Sequence, residues 1–146
     1  MTVSHPYLLI IDDDIDDHEI LTGAMNNIGC LNVESFKSSV AAINFLDRIL
    51  LSENYPSLIV LDYNMPGYNG EQVLTQLKKD KPYSHIPVII YSSYLSLVFK
   101  KEMIAFGAYD CIAKSSKYEQ LKEHAEIFKA ILHPYSSSPS ENPVLY

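Results

Sequence analysis

Four short apolar runs punctuate this chain, each closed by a polar or turn-forming residue: Tyr7–Ile11, Leu58–Leu61, Pro87–Tyr91 and Tyr109–Ala113. The first three are continuously apolar at their centres, as strands covered on both faces must be. A weaker segment, Asn32–Phe36, alternates and suits an edge or near-edge strand. Helical stripes lie between the runs. Ile20, Leu21, Ala24, Met25 and Ile28 share one face and stop at Gly29, a plausible C-cap. Ile43, Leu46 and Leu50 form a second stripe, started by Ser38 or Ser39, and Val73, Leu74 and Leu77 form a third. Val98 to Phe106 reads as a fourth helix stopped at Gly107, and Leu121, Ala125, Phe128 and Leu132 as a fifth stopped by Pro134. Strand and helix alternating five times predict an α/β fold, a doubly wound five-stranded parallel sheet with five helices. The 146 residues suffice for one domain, expected over residues 1–134, with a Ser/Pro-rich flexible tail over residues 135–146.

Composition narrows the function. Hydrophobic residues at 47% and charged residues at 20% exclude global disorder. A net charge of −7 argues against a nucleic-acid surface, which needs a basic stripe. Cys30 and Cys111 are too few and too far apart for a disulfide framework or a zinc site. The N-terminus lacks a basic region and a cleavage signal, and the apolar run at Tyr7 is too short to span a bilayer. The expectation is a reduced, cytoplasmic protein without a membrane partner.

In open sheets of this kind the active crevice lies at the carboxyl ends of the strands. Asp12, Asp13 and Asp14 follow the first strand, Asp62 follows the third, Ser92 and Ser93 the fourth, and Lys114 the fifth. Asp12, Asp13 and Asp62 would then crowd three charges together. At ~4 Å each pair repels by about 1 kcal/mol in water and about 4 kcal/mol at an effective dielectric near 20. A divalent cation resolves that repulsion, and an all-oxygen set that leaves room for water suits Mg²⁺. A carboxylate beside such a metal can act as a nucleophile towards phosphorus. Lys114 would supply a positive charge to the phosphoryl oxygens and Ser92 a hydroxyl donor.

These segments resemble the receiver domain of two-component response regulators. The matching pieces are Leu8–Asp14, Leu58–Pro66 with Gly70 after it, Ile86–Ser93 and Phe106–Lys114, in the family's order and spacing over roughly residues 6–133. The resemblance implies a flavodoxin-like fold of the chemotaxis-regulator, stand-alone type. It implies that Asp62 is the phosphoacceptor, that Asp13 binds Mg²⁺ (or Mn²⁺) directly, and that Asp12 helps hold it. The backbone carbonyl of Asn64 is the implied third protein ligand. Ser92 takes the switch hydroxyl's place, Lys114 pairs with phosphate, and Tyr94 and Asn64 flank the phosphoryl group and influence its hydrolysis. A sensor histidine kinase or a histidine phosphotransfer protein is the implied donor. Output is expected through a downstream protein, through onward phosphotransfer, or through a homodimer on the face built from Val98–Phe106, strand five and Leu121–Leu132.

Two positions depart from the family pattern. Ser115 stands where a proline usually follows the lysine in a cis bond. A non-proline cis bond costs ~2.5–4 kcal/mol, so the bond is either trans with the loop rearranged or held cis by packing. Cys111 stands where a switch Tyr or Phe is usual, so an inward aromatic swing does not carry over. Asp14, Asp16 and Asp17 read as the acidic first turn of a helix. The five histidines read as structural or surface groups, and Cys111 as a buried strand residue. An EF-hand starting at Asp12 fails, because Asp17 and Gly23 fall where glycine and glutamate are required. Two competing functions are a haloacid-dehalogenase-type phosphatase beginning at Asp12 and a degenerate receiver acting as a constitutive binding module. In the first, Asp16 occupies the signature's Thr/Val place.

Overall fold

The computed structural model describes residues 5–30 and 32–134; the expected tail 135–146 lies outside the described residues. Five strands form one sheet: β1 (Leu8–Ile11), β2 (Val33–Phe36), β3 (Leu58–Asp62), β4 (Val88–Ser92) and β5 (Asp110–Ala113). All pairings are parallel, in the order β2-β1-β3-β4-β5. Helices alternate with them: α1 (Ile15–Asn27), α2 (Ser39–Asp47), α3 (Gly70–Lys78), α4 (Leu97–Ala105) and α5 (Tyr118–Leu132). This is the predicted doubly wound architecture, with strand limits shifted by about one residue from the apolar runs, the usual uncertainty of such boundaries.

The two faces of the sheet are sorted residue by residue. Leu9, Ile11, Ile59, Leu61, Val88, Ile90 and Cys111 pack under α2, α3 and α4, where Leu46, Leu74, Leu77 and Met103 meet them. The alternate residues Leu8, Ile10, Leu58, Val60, Ile89 and Tyr91 pack under α1 and α5, against Met25, Ala125 and Phe128. Burial on both sides explains why β1 is apolar throughout and why β3 and β4 are apolar up to their last residues, Asp62 and Ser92. β2 lies at the edge, as expected, with Glu34 and Ser35 exposed between the partly buried Val33 and Phe36 rather than in strict alternation.

Caps set the helix limits. Ser38, rather than Ser39, caps α2 by accepting from the Ala41 N–H at 3.1 Å. Asn69 and Gln72 cap α3 reciprocally, both at 2.9 Å. Gly29 and Gly107 follow α1 and α4 at φ +84° and +110°, so the two expected stops are left-handed residues. One expected stripe needs correction. Leu50 lies past the end of α2 and is 93% exposed, because the helix ends at Asp47. α4 exposes Leu97, Val98 and Ile104; Met103 is its one fully buried residue, since its apolar side chains spread around the helix rather than along one face.

Candidate functional site

Strand register assembles the site. Leu8–Ile11 pair with Leu58–Leu61, so Asp12 and Asp62 emerge side by side at the carboxyl ends of β1 and β3. The sheet's winding reverses between these two strands, and a crevice opens at such a switch point. Asp62 pairs with Tyr91, and Ser92 with Ala113, which brings Ser92 and Lys114 to the same edge. The Lys114 N–H donates to the Ser92 carbonyl at 2.8 Å, fixing the loop's main chain.

Asp12, Asp13 and Asp62 each place a carboxylate oxygen within 4.8 Å of the others. Asp12 and Asp62 are buried and Asp13 is exposed. Three hard anionic oxygens so close, with one side open, fit a divalent cation that keeps some of its water. The Asp14 N–H donates to Asp12 Oδ1 at 3.0 Å, and the Asn64 N–H faces Asp62 Oδ1 at 3.4 Å. Lys114 Nζ lies 2.8 Å from Asp12 Oδ2 and 3.2 Å from Asp62 Oδ1. Burial, and then the Asp12 charge, push the Asp62 carboxyl up to about 6 against the opposing pull of Lys114. Burial works to lower the Lys114 ammonium, but its bonds to Asp12 and Asp17 and the charges of Asp12 and Asp62 more than reverse this and raise it. The lysine is therefore a firmly held cation.

The loop between β3 and α3 is pinched shut. Asn64 and Asn69 bridge antiparallel, and the Gly70 N–H donates to the Tyr63 carbonyl at 2.6 Å. A Cβ on Gly70 would stand 2.9 Å from Tyr63 Cα, so no larger residue fits there without a shift. The Tyr63 ring then meets Phe99 of α4 edge-on, with centroids 4.8 Å apart.

Other expected positions have different surroundings. Ser92 is buried and its Oγ accepts from the Tyr94 N–H at 3.2 Å, while the Tyr94 ring is 68% exposed. Cys111 is buried beneath α4, where burial and the Asp110 charge push its thiol up to about 11. The Lys114–Ser115 bond is trans, since the described residues contain no cis peptide. Ser115 Oγ accepts from the Lys117 N–H at 3.0 Å and pairs with Gln120, and so turns the chain into α5.

Three contacts were not foreseen. Asp17, read as an ordinary first-turn acid, accepts from Lys114 Nζ at 2.7 Å. His18 is buried and its Nε2 donates to the Asp12 carbonyl, which can only accept. The Tyr91 hydroxyl, beside the site, bonds His124 Nδ1 on α5 at 2.9 Å. Each joins residues by packing of α1 or α5 on the sheet, and no local sequence spacing reports that. The nearest available signal was the chain of acids continuing past Asp14 onto α1.

A family model of the response regulator receiver domain matches residues 8–126. Two-component response regulator ORR12 of Oryza sativa subsp. japonica is 32% identical over 119 residues, covering 82% of this chain and 94% of that protein. The phosphorylated cyanobacterial phytochrome response regulator RcpA superposes with a TM-score of 0.77 at 22% identity, over 93% of this chain and 99% of that one. The Mn²⁺-bound form of response regulator Rcp1 gives 0.71 at 20% identity, over 92% and 99%. At those identities the two structures speak for the fold. The family match covers the switch-point carboxylates and Lys114 together, and with it the chain belongs to the response regulator receiver domain family of two-component signalling.

Proposed function

We propose that Asp62 accepts a phosphoryl group from a phosphohistidine of a sensor histidine kinase or a phosphotransfer protein. An Asp62 carboxylate oxygen attacks phosphorus, the P–N bond breaks, and the freed imidazole takes up a proton. The observation that carries this reading is the bridging of Asp12 and Asp62 by Lys114 at a switch point, with a third carboxylate beside them. Asp12, Asp13, Asp62 and the Asn64 carbonyl would hold Mg²⁺ (or Mn²⁺), which supplies charge neutralisation for the phosphoryl oxygens. Asp62 is the better nucleophile than Asp12, whose two oxygens already accept from the Asp14 N–H and Lys114. Ser92 contributes the hydroxyl and Lys114 the ammonium that meet the phosphoryl group. Tyr94 stands at the mouth, where it would modulate hydrolysis.

The domain works in the cytoplasm as a switch. Its output face is α4, β5 and α5, where Leu97, Val98, Ile104, Tyr109 and Tyr118 are exposed. That face offers apolar surface to a downstream protein or to a second copy. Mg²⁺ and a small phosphodonor should add one phosphoryl group by intact mass. No gain in wild type, or an undiminished gain in Asp62→Ala, removes this reading.

A further inference from the structure

Asp17 holds Lys114 at 2.7 Å, at least as closely as the site carboxylates Asp12 at 2.8 Å and Asp62 at 3.2 Å. An ammonium has three N–H donors. Two point at Asp12 and Asp17, and the third faces Asp62. The three acceptors differ in what else they can do. Asp12 and Asp62 belong to the group of carboxylates close enough to share a cation. Asp17 is outside that group, on the first turn of α1.

Resting on the reading of Asp62 as phosphoacceptor, we infer that Asp17 is a positioning residue that keeps Lys114 at the site when a divalent cation draws Asp12 away. A dication beside Asp12 competes for the same oxygen electron pairs and repels the ammonium directly. Lysine is a point charge on a flexible four-carbon stem. The Lys114 N–H bond to Ser92 fixes the main chain and leaves the side chain free to turn. Ser115, unlike proline, adds no ring to stiffen the loop. Asp17 ties down the far end of the stem from a helix that the cation does not engage. Lys114 thus exchanges Asp12 for a phosphoryl oxygen without leaving the crevice.

Acylation of lysines by a water-soluble succinimidyl ester, read peptide by peptide by mass spectrometry, tests this with and without Mg²⁺. The proteins compared are wild type, Asp17→Asn, Asp17→Glu and Asp16→Asn. Asp16 is exposed and outside the Lys114 bonds, so its variant loses the same charge without touching the lysine. Lys114 should stay protected in wild type and Asp16→Asn under both conditions. In Asp17→Asn it should stay protected without Mg²⁺, where Asp12 holds it, and label about tenfold faster with Mg²⁺, the size expected for one hydrogen bond between charged partners. Asp17→Glu should restore protection. Equal labelling of Asp17→Asn with and without Mg²⁺, fast or slow, overturns the inference, as does the same Mg²⁺-dependent rise in Asp16→Asn. Phosphoryl gain by intact mass is measured on the same samples. A wild type that gains none removes the proposed function and this inference with it. A wild type that gains one, while Lys114 of Asp17→Asn stays protected, removes the inference alone.

Discussion

The carboxyl ends of β1 and β3 and the α4–β5 side are built on opposite terms. At the first, every strand residue is buried and the register places Asp12 level with Asp62. At the second, α4 is seated by Met103 and the partly buried Phe99, while Leu97 and Val98 stand in solvent at 69% and 67% exposure. Chemistry needs atoms held in place, so it sits on the rigid edge. A face that rearranges or receives a partner must come from the less stable end of the structure. Beyond their shared core, the two regions are joined by the edge-on pair of Tyr63, next to Asp62, and Phe99. With Cys111 in place of an aromatic ring on β5, that pair is a direct packed path from the carboxylate end of β3 to α4.

Truncation on the two sides should separate them most sharply. Leu61 is fully buried on β3 and ends one residue before Asp62. Leu61→Ala should lower stability by about 2–5 kcal/mol, because a packed core leaves a cavity when a leucine is cut back. Urea unfolding measures this. A loss under about 1 kcal/mol would mean that the β1–β3 edge can collapse around the gap and is not the rigid element described here.

Asp62→Asn comes next in size. In metal-free protein the Asp62 carboxyl is raised from 3.8 to about 6, mainly by burial and then by Asp12. A raised carboxyl means that the folded state binds its proton more tightly than the unfolded state does. The destabilisation from ionising it is therefore fully present above pH ~6 and fades as pH falls towards ~4. The asparagine variant should be more stable than wild type by roughly 2–3 kcal/mol above pH 6, and that gap should close near pH 4. Saturating Mg²⁺ should stabilise wild type more than the variant. Thermal melts across this range check both statements. A gap that widens on acidification would reverse the assignment.

How much of this was legible in the residues follows the same division. β1, β3 and β4 could be read because two-sided burial writes an unbroken apolar run, and the site edge because polar residues end each run. That brought Asp12, Asp13, Asp62, Ser92 and Lys114 to one edge from spacing alone. Leu50 misled because apolar character says nothing about where a helix stops; Arg48 ends α2 first. Asp17, His18 and the Tyr91–His124 bond were hidden because they depend on how α1 and α5 lie against the sheet. The Asp17–Lys114 contact spans 97 residues of sequence. A first-turn acid that meets solvent and one that meets a half-buried lysine have the same sequence signature.

The smallest expected stability effect falls on α4. Leu97→Ser and Val98→Ser remove side chains that already face water, and surface changes of this kind usually stay within about 0.5 kcal/mol. The residues that anchor the helix are Met103 and the Phe99 ring, and both are kept. Phosphoryl gain by intact mass should also be unchanged, because neither residue is among the carboxylates, Ser92 and Lys114 that make up the site. What should change is association. If this face receives a partner or a second copy after phosphorylation, the double variant should fail to shift in mass by light scattering, or fail to bind the partner, in the presence of Mg²⁺ and a phosphoryl mimic. A double variant that unfolds early would show α4 to be part of the rigid body. One that associates like wild type would place the output on another face of the domain.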